Sequence, residues 1–254
     1  MVYLSSGELS SLLIARKMLQ DISGGYIGEE ISSIVDKITN VLTKHTSMGD
    51  RIDDTFSFQL IGYSPAPEAV FKAVLEACLK KQCLSFSYYS PAAEEKSSRT
   101  VDPFHLFNYM GTWHLIGYCH LRKEIRDFAL SRISEVKLLN QSFKLSADFD
   151  FKKYFLSTFG LYKGKSTKEV TLRFTPEKSK WIKDQIWHKN QKVKYLKDGS
   201  LELSFPVSDF SEIKREILKH GDAVIVIKPK TLRDLVKAEA EKILRIYCPK
   251  GQNK

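Results

Sequence analysis

Arg126, Phe128, Leu130 and Arg132 occupy alternate positions, and in an extended strand side chains two apart share a face. Read that way, a guanidinium stands at each end of an apolar pair. Such a pair of forks clamps an anionic ligand, because guanidinium binds phosphate bidentately. Tyr88, His105, Trp113, His114 and Tyr118 add rings on which bases can stack, with hydroxyl and imidazole groups for edge contacts. Each residue also has a plainer reading. Trp113 shares a strand face with Leu115 and suits a core, as do Phe128 and Leu130. A half-buried Tyr88 needs only one hydrogen bond, and Arg126 and Arg132 can pair with Glu124, Asp127 or Glu135 as solvated ion pairs.

Catalytic and metal signatures are missing. Cys78, Cys83, Cys119 and Cys248 show no C-x-x-C spacing and read as reduced thiols. Cys119 and His120 are adjacent rather than at metal-ligand spacing, so a zinc site built from His105, His114, Cys119 and His120 is not expected. Gly24-Gly25 lacks the frame of a phosphate loop, and no G-x-G-x-x-G occurs. The expectation is a non-enzyme with no catalytic residue, no metal and no cofactor.

The elements that must position these residues follow from periodicity. Ser5 to Glu8 opens a helix whose apolar stripe runs through Leu9, Leu12, Leu13 and Leu19 until Gly24-Gly25 stops it. A second amphipathic helix is expected over 29–44, a strand over 55–63 and, after Pro65-Ala66-Pro67, a third helix over 68–81. From Gln82 the period changes to two. Strands are expected over 83–88, 99–105, 112–120 and 124–133, with a polar loop over 90–98; short strands at this spacing imply a small, strongly bent sheet or barrel. Past a basic, aromatic connector, the chain reads strand (168–175), helix, strand (191–196), strand (200–206), helix (210–220), strand (223–227) and helix (231–247). Asp198-Gly199 marks a hairpin, and the order βαββαβ is the ferredoxin-like pattern. The domains expected are a helical linker region (1–81), a β-barrel (82–145), a connector (146–167) and a ferredoxin-like unit with a final helix (168–254). The fold class is α+β.

Charge is uneven along the 254 residues. The net charge is +10, but residues 144–254 alone carry 25 Lys/Arg against 14 Asp/Glu. A basic C-terminal part suggests a polyanion partner, and surface lysines also serve solubility. Lys178, Lys180, Lys183, Lys189, Lys192, Lys194 and Lys197, interleaved with Trp181 and Trp187, can track a phosphate backbone or form a solvated face; Trp181 is expected in the core. Apolar stretches such as Ala223 to Ile227 are far too short to span a membrane, and the N-terminus reads as no export signal, so a cytoplasmic protein is expected.

Several of these stretches together resemble the WYL domain of bacterial transcriptional regulators. Leu84-x-Phe86-x-Tyr88, Arg99-x-Val101-x-Pro103, Trp113-His114-Leu115-x-Gly117-Tyr118 and Arg126-x-Phe128-x-Leu130-x-Arg132-Ile133 occur in the family's order and spacing, with His114 in place of the eponymous tyrosine. Residues 168–247 likewise resemble the C-terminal extension of that family, WCX, through Leu172-Arg173-Phe174, Asp198-Gly199, Gly221 and Pro229-Lys230-Thr231-Leu232-Arg233. The resemblance implies a small SH3-like or Sm-like barrel that senses a nucleic-acid fragment or nucleotide. It makes Tyr88, His105, Arg126 and Arg132 the leading ligand contacts, with Trp113, His114 and Ser131 behind them. It also implies a homodimer. Family members usually carry a winged helix-turn-helix for duplex DNA, whereas residues 1–82 are net acidic and show no basic recognition helix. The function expected is therefore effector sensing and dimerisation for a transcription regulator; the alternative is a headless accessory module that docks on and modulates a nucleic-acid enzyme.

Overall fold

Ser5 and Glu8 cap the first helix reciprocally. The Glu8 amide donates to Ser5 Oγ at 3.3 Å while Glu8 Oε2 accepts from the Ser5 amide at 2.7 Å, so two otherwise orphaned donors are satisfied at the start of α1 (Ser6–Ser23). The computed structural model describes residues 5–23, 55–57, 62–144 and 167–248. The expected helix over 29–44, most of the expected strand over 55–63 and most of the connector lie outside them. The chain divides into two compact units, 1–146 and 147–254. No described helix is long and apolar enough to cross a membrane.

In the first unit, α2 (Glu68–Lys80) follows Pro67 and ends on Lys81, which takes the left-handed conformation of a helix C-cap. Val70, Phe71, Val74 and Ala77 are its buried stripe, and they join Leu84, Phe86, Val101, Leu115, Phe128, Leu130 and Ile133 in one core. A boundary at Gln82 would cut through that core, so α2 is part of the sheet's own packing rather than a linker. The strands are β1 (Gln82–Ser90), β2 (Glu95–Tyr109), β3 (Thr112–Cys119), β4 (Glu124–Ala129) and β5 (Ile133–Ser142). β1 and β2 pair out to Ser90 and Glu95, so much of the polar stretch read as a loop continues the hairpin.

The strands form one antiparallel sheet ordered β4-β3-β2-β1-β5, open rather than closed into the expected barrel. Its two edges are nevertheless joined by a 3-10 turn of three residues, Leu130–Arg132. Laid flat, the edges would stand about 19 Å apart, four strand spacings. Three residues of 3-10 helix rise only about 6 Å. The sheet must therefore curl until its edges approach at this corner. Sequence periodicity alone runs one strand from Glu124 through Ile133 and misses β5, because the turn keeps the apolar alternation of the strands it joins.

The second unit holds β6 (Lys168–Phe174), α3 (Pro176–Ile182), β7 (Lys192–Tyr195), β8 (Leu201–Val207), α4 (Phe210–Lys219), β9 (Val224–Lys228) and α5 (Lys230–Tyr247). Its four-stranded sheet is ordered β7-β8-β6-β9 and is antiparallel throughout. Thr175 and Asp209 cap α3 and α4 through their side-chain oxygens. β8 alternates buried and half-buried along its whole length, which puts Leu201, Leu203, Phe205 and Val207 in the core with Val170, Leu172 and Phe174. Trp181 is not in that core, contrary to expectation: it is 74% exposed. The inward pair of α3 is Ser179 and Ile182, one turn apart, which turns the intervening Trp181 outward. Trp187 packs there instead, its ring 5.7 Å from Phe174 and 5.9 Å from Phe205.

Gly117 marks the tightest approach in the first sheet. It pairs with Pro103 beside a bulge in β2, and a Cβ added there would stand 2.5 Å from both the Asp102 carbonyl oxygen and Val101 Cγ1. Gly117→Ala is expected to lower stability by about 1–3 kcal/mol, read as an earlier urea midpoint. An unchanged midpoint would contradict this close approach.

Candidate functional site

The corner where β4 passes into β5 collects the polar groups. Tyr88 lies in β1 opposite Ile133, its ring edge-on to Phe128 at 5.1 Å and to Phe86 at 6.4 Å. The Arg132 guanidinium, the Ala129 backbone and the Asp127 carboxylate all lie near enough to its hydroxyl to influence its ionisation. Burial pushes the phenol above its ordinary value, Asp127 adds to that, and Arg132 with Ala129 pulls partly back. Arg132 itself is exposed at the end of the 3-10 turn. A cation thus stands near a half-buried phenol at a solvent-facing corner.

Behind it, His114 Nδ1 lies 2.7 Å from Asp127 Oδ1. A carboxylate only accepts, so that nitrogen carries the proton. His114 is buried, and the Phe107 ring stands 5.3 Å from it. Asp127 Oδ2 is buried with no hydrogen-bond partner among the described residues. Asp127 enters the site although sequence reading weighed it only as a partner for arginine. The available signal is strand alternation: Phe128 faces the core, so Asp127 faces the other side of the sheet, where His114 in the adjoining strand also points.

The other expected contacts are distributed around the sheet. Arg126 pairs across the sheet with Gly117, is exposed, and forms a 3.2 Å ion pair with the exposed Glu124. Arg126 and Arg132 therefore do not flank an apolar pair on a single strand. β4 ends at Ala129, and Arg132 belongs to the turn that carries the chain to the opposite edge of the sheet. His105 stands in β2 opposite Ile116, next to the bulge, and its partial burial lowers its pKa, which keeps the imidazole neutral at pH 7. Its row continues through Ile116 to Asp127, so His105, Asp127 and His114 share one face. Trp113 lies on the core side with its ring 4.9 Å from Phe71, and its Nε1 is buried without a partner among the described residues. Ser131 is half-buried within the turn. The structure thus brings Arg132 near Tyr88, bonds His114 to Asp127 on the other face of the sheet, and leaves Arg126 and Trp113 apart from that pair.

Comparison with known proteins gives the following. Residues 69–138 match the model of the WYL domain, and residues 166–244 match that of the WCX domain. Over 245 residues, 96% of the chain and 72% of the relative, the chain is 24% identical to Protein PafC of Mycobacterium tuberculosis. It is 25% identical over 134 residues, 53% of the chain and 41% of the relative, to the uncharacterized HTH-type transcriptional regulator YobV of Bacillus subtilis. Over 68 residues, 27% of the chain and 23% of the relative, it is 34% identical to the DNA-binding transcriptional repressor CapW of Escherichia coli. The solved structure of proteasome accessory factor B/C of Arthrobacter aurescens matches 97% of the chain at 24% identity and TM-score 0.35, and the chain spans 36% of that structure's length.

The buried phenol has a measurable consequence. Its pKa in the fold lies above the unfolded value of about 10, so the neutral phenol is the form the fold favours. The contribution is complete below pH 10 and is lost as pH rises through the folded pKa. Stability measured by urea unfolding is expected to fall more steeply above pH 10 in the wild-type protein than in Tyr88→Phe. Parallel profiles would contradict the burial assigned to this hydroxyl.

Proposed function

The chain carries a WYL domain followed by a WCX domain, and from that premise we propose that it is the effector-sensing and dimerising portion of a bacterial transcription regulator. The effector is a short single strand of nucleic acid or a nucleotide, bound at the corner of the first sheet. The observation that carries this reading is the exposed Arg132 guanidinium near the Tyr88 hydroxyl at the end of the 3-10 turn, with the 2.7 Å His114–Asp127 hydrogen bond on the other face of the sheet. It offers a charged fork for phosphate and a ring edge for a base within one site. Arg126, held only by an exposed ion pair, exchanges Glu124 for a phosphate at little cost. His105, on the face of Asp127, and Ser131, in the turn, are outlying candidate contacts, and Trp113 supports the corner from the core side.

We read the first unit as an SH3-like barrel left open at one seam. The second we read as ferredoxin-like, since its strands, taken in chain order, lie 2-3-1-4 across the sheet with one helix between the first and second and another between the third and fourth. α5 buries only Leu232 and exposes Leu235, Leu244, Ile246 and Tyr247, a surface suited to a second copy of the chain. Effector binding then shifts the arrangement of two protomers, and with it the spacing of DNA-reading heads. Duplex DNA would be reached only through a winged helix-turn-helix, not through the WYL or WCX domain. The compartment that fits is the cytoplasm.

Fluorescence anisotropy with labelled single-stranded and duplex oligonucleotides at two salt concentrations tests this. The expected result is a preference for the single strand that survives added salt, reduced at least ten-fold by Arg126→Ala with Arg132→Ala. Substituting Lys192, Lys194 and Lys197 by Ala is expected to alter only the salt dependence. Unchanged affinity in the double arginine variant would overturn the site.

A further inference from the structure

A second polar cluster, separate from the corner, crosses three neighbouring strands of the first unit. Cys83 lies in β1 and Asp102 in β2, and His120 follows β3, its amide donating to the Thr100 carbonyl at 3.0 Å. Asp102 Oδ1 accepts from the Cys83 thiol at 2.9 Å and lies 2.7 Å from His120 Nε2. The sulfur, the carboxylate oxygen and the imidazole nitrogen all stand within 4.8 Å of one another. Cys83 is buried, Asp102 is half-buried, and the His120 side chain is 40% exposed, so the cluster opens to solvent on one side.

We propose that Cys83, Asp102 and His120 bind one zinc ion, with water completing a tetrahedral set. A thiolate, an imidazole and a carboxylate form a borderline-soft donor set that suits zinc and disfavours magnesium or calcium. Bonds of about 2.0–2.3 Å in a tetrahedron separate the donor atoms by roughly 3.3–3.7 Å. The two separations to Asp102 Oδ1, 2.9 and 2.7 Å, need to open by less than about 1 Å, and the exposed His120 side chain adjusts both its own separation from Asp102 and that from the Cys83 sulfur, which already lies within 4.8 Å. The protons balance as follows. Asp102 Oδ1 now faces two donors, the Cys83 S–H and the His120 Nε2–H. On binding, the thiol proton leaves to solvent, and the imidazole proton exchanges through water to Nδ1, freeing the Nε2 lone pair for the metal. Burial holds the Cys83 thiol protonated in the metal-free protein, so one proton is released for each ion bound.

Cobalt(II) titration of the full chain tests this, in a Cys248→Ser background that removes the exposed thiol. Expected are a sulfur-to-cobalt charge-transfer band and visible bands of tetrahedral intensity, saturating at one equivalent and displaced by zinc. Cys83→Ser is expected to abolish the charge-transfer band. His120→Ala, an exposed change that keeps the test valid if the serine variant unfolds, is expected to weaken binding at least ten-fold. Absence of the band, its persistence in Cys83→Ser, or unchanged affinity in His120→Ala would show the triad to be a hydrogen-bond network only and overturn the proposal.

Discussion

The first unit depends on a single covalent constraint: the two edge strands of a five-stranded sheet are tied by three residues. Because a flat sheet cannot meet that tie, the sheet curls, and curling gives its concave face enough depth to bury Phe86, Leu115, Phe128 and Leu130 under one short helix. Leu130, inside the tie, is fully buried and pins the turn to the core, while Arg132 at its far end is left in solvent. The polar corner is thus a by-product of closing the sheet. Tyr88 meets Arg132 because β1 lies beside β5 at the point where the chain arrives from the opposite edge.

Two buried polar atoms in the first unit carry an energetic cost. A buried carboxylate oxygen or indole N–H without a partner costs roughly 1–3 kcal/mol each, and the first unit holds both, at Asp127 Oδ2 and Trp113 Nε1. Against them stands a large aromatic core, with Phe71 on Trp113 and Phe86, Tyr88 and Phe128 in mutual edge contact. This apolar wall lies under a small set of polar groups and restricts their movement. The second unit is different in kind. Its lysines are spread over exposed positions, among them Lys192 and Lys194 in the wholly exposed β7.

Much of this was legible in the residues. The alternation in β1 and β3, the cap at Ser5 and the Asp198-Gly199 hairpin each have a local physical cause and fall where that cause puts them. The WYL stretches read from sequence are largely the core-facing positions of the sheet, among them Leu84, Phe86, Val101, Leu115, Phe128 and Ile133. Three features were hidden. The 3-10 turn preserves strand-like alternation, so β4 and β5 merged into one strand. Trp181 resembles a core residue by type, and only the rotation of a seven-residue helix decides that Ile182 goes inward in its place. Asp102 joins Cys83 and His120 only through strand pairing over long sequence separations, which no local spacing reveals.

The most direct test of the account follows the side-chain and backbone amide resonances of the full chain while a short single-stranded oligonucleotide is added. The account predicts that the largest, saturable shifts fall on the Arg132 Nε–H and on the amides of Asp127, Ala129 and Ser131, with Arg126 following. Shifts confined to the lysine-rich β7 and its neighbours, with the corner silent at saturation, would contradict it.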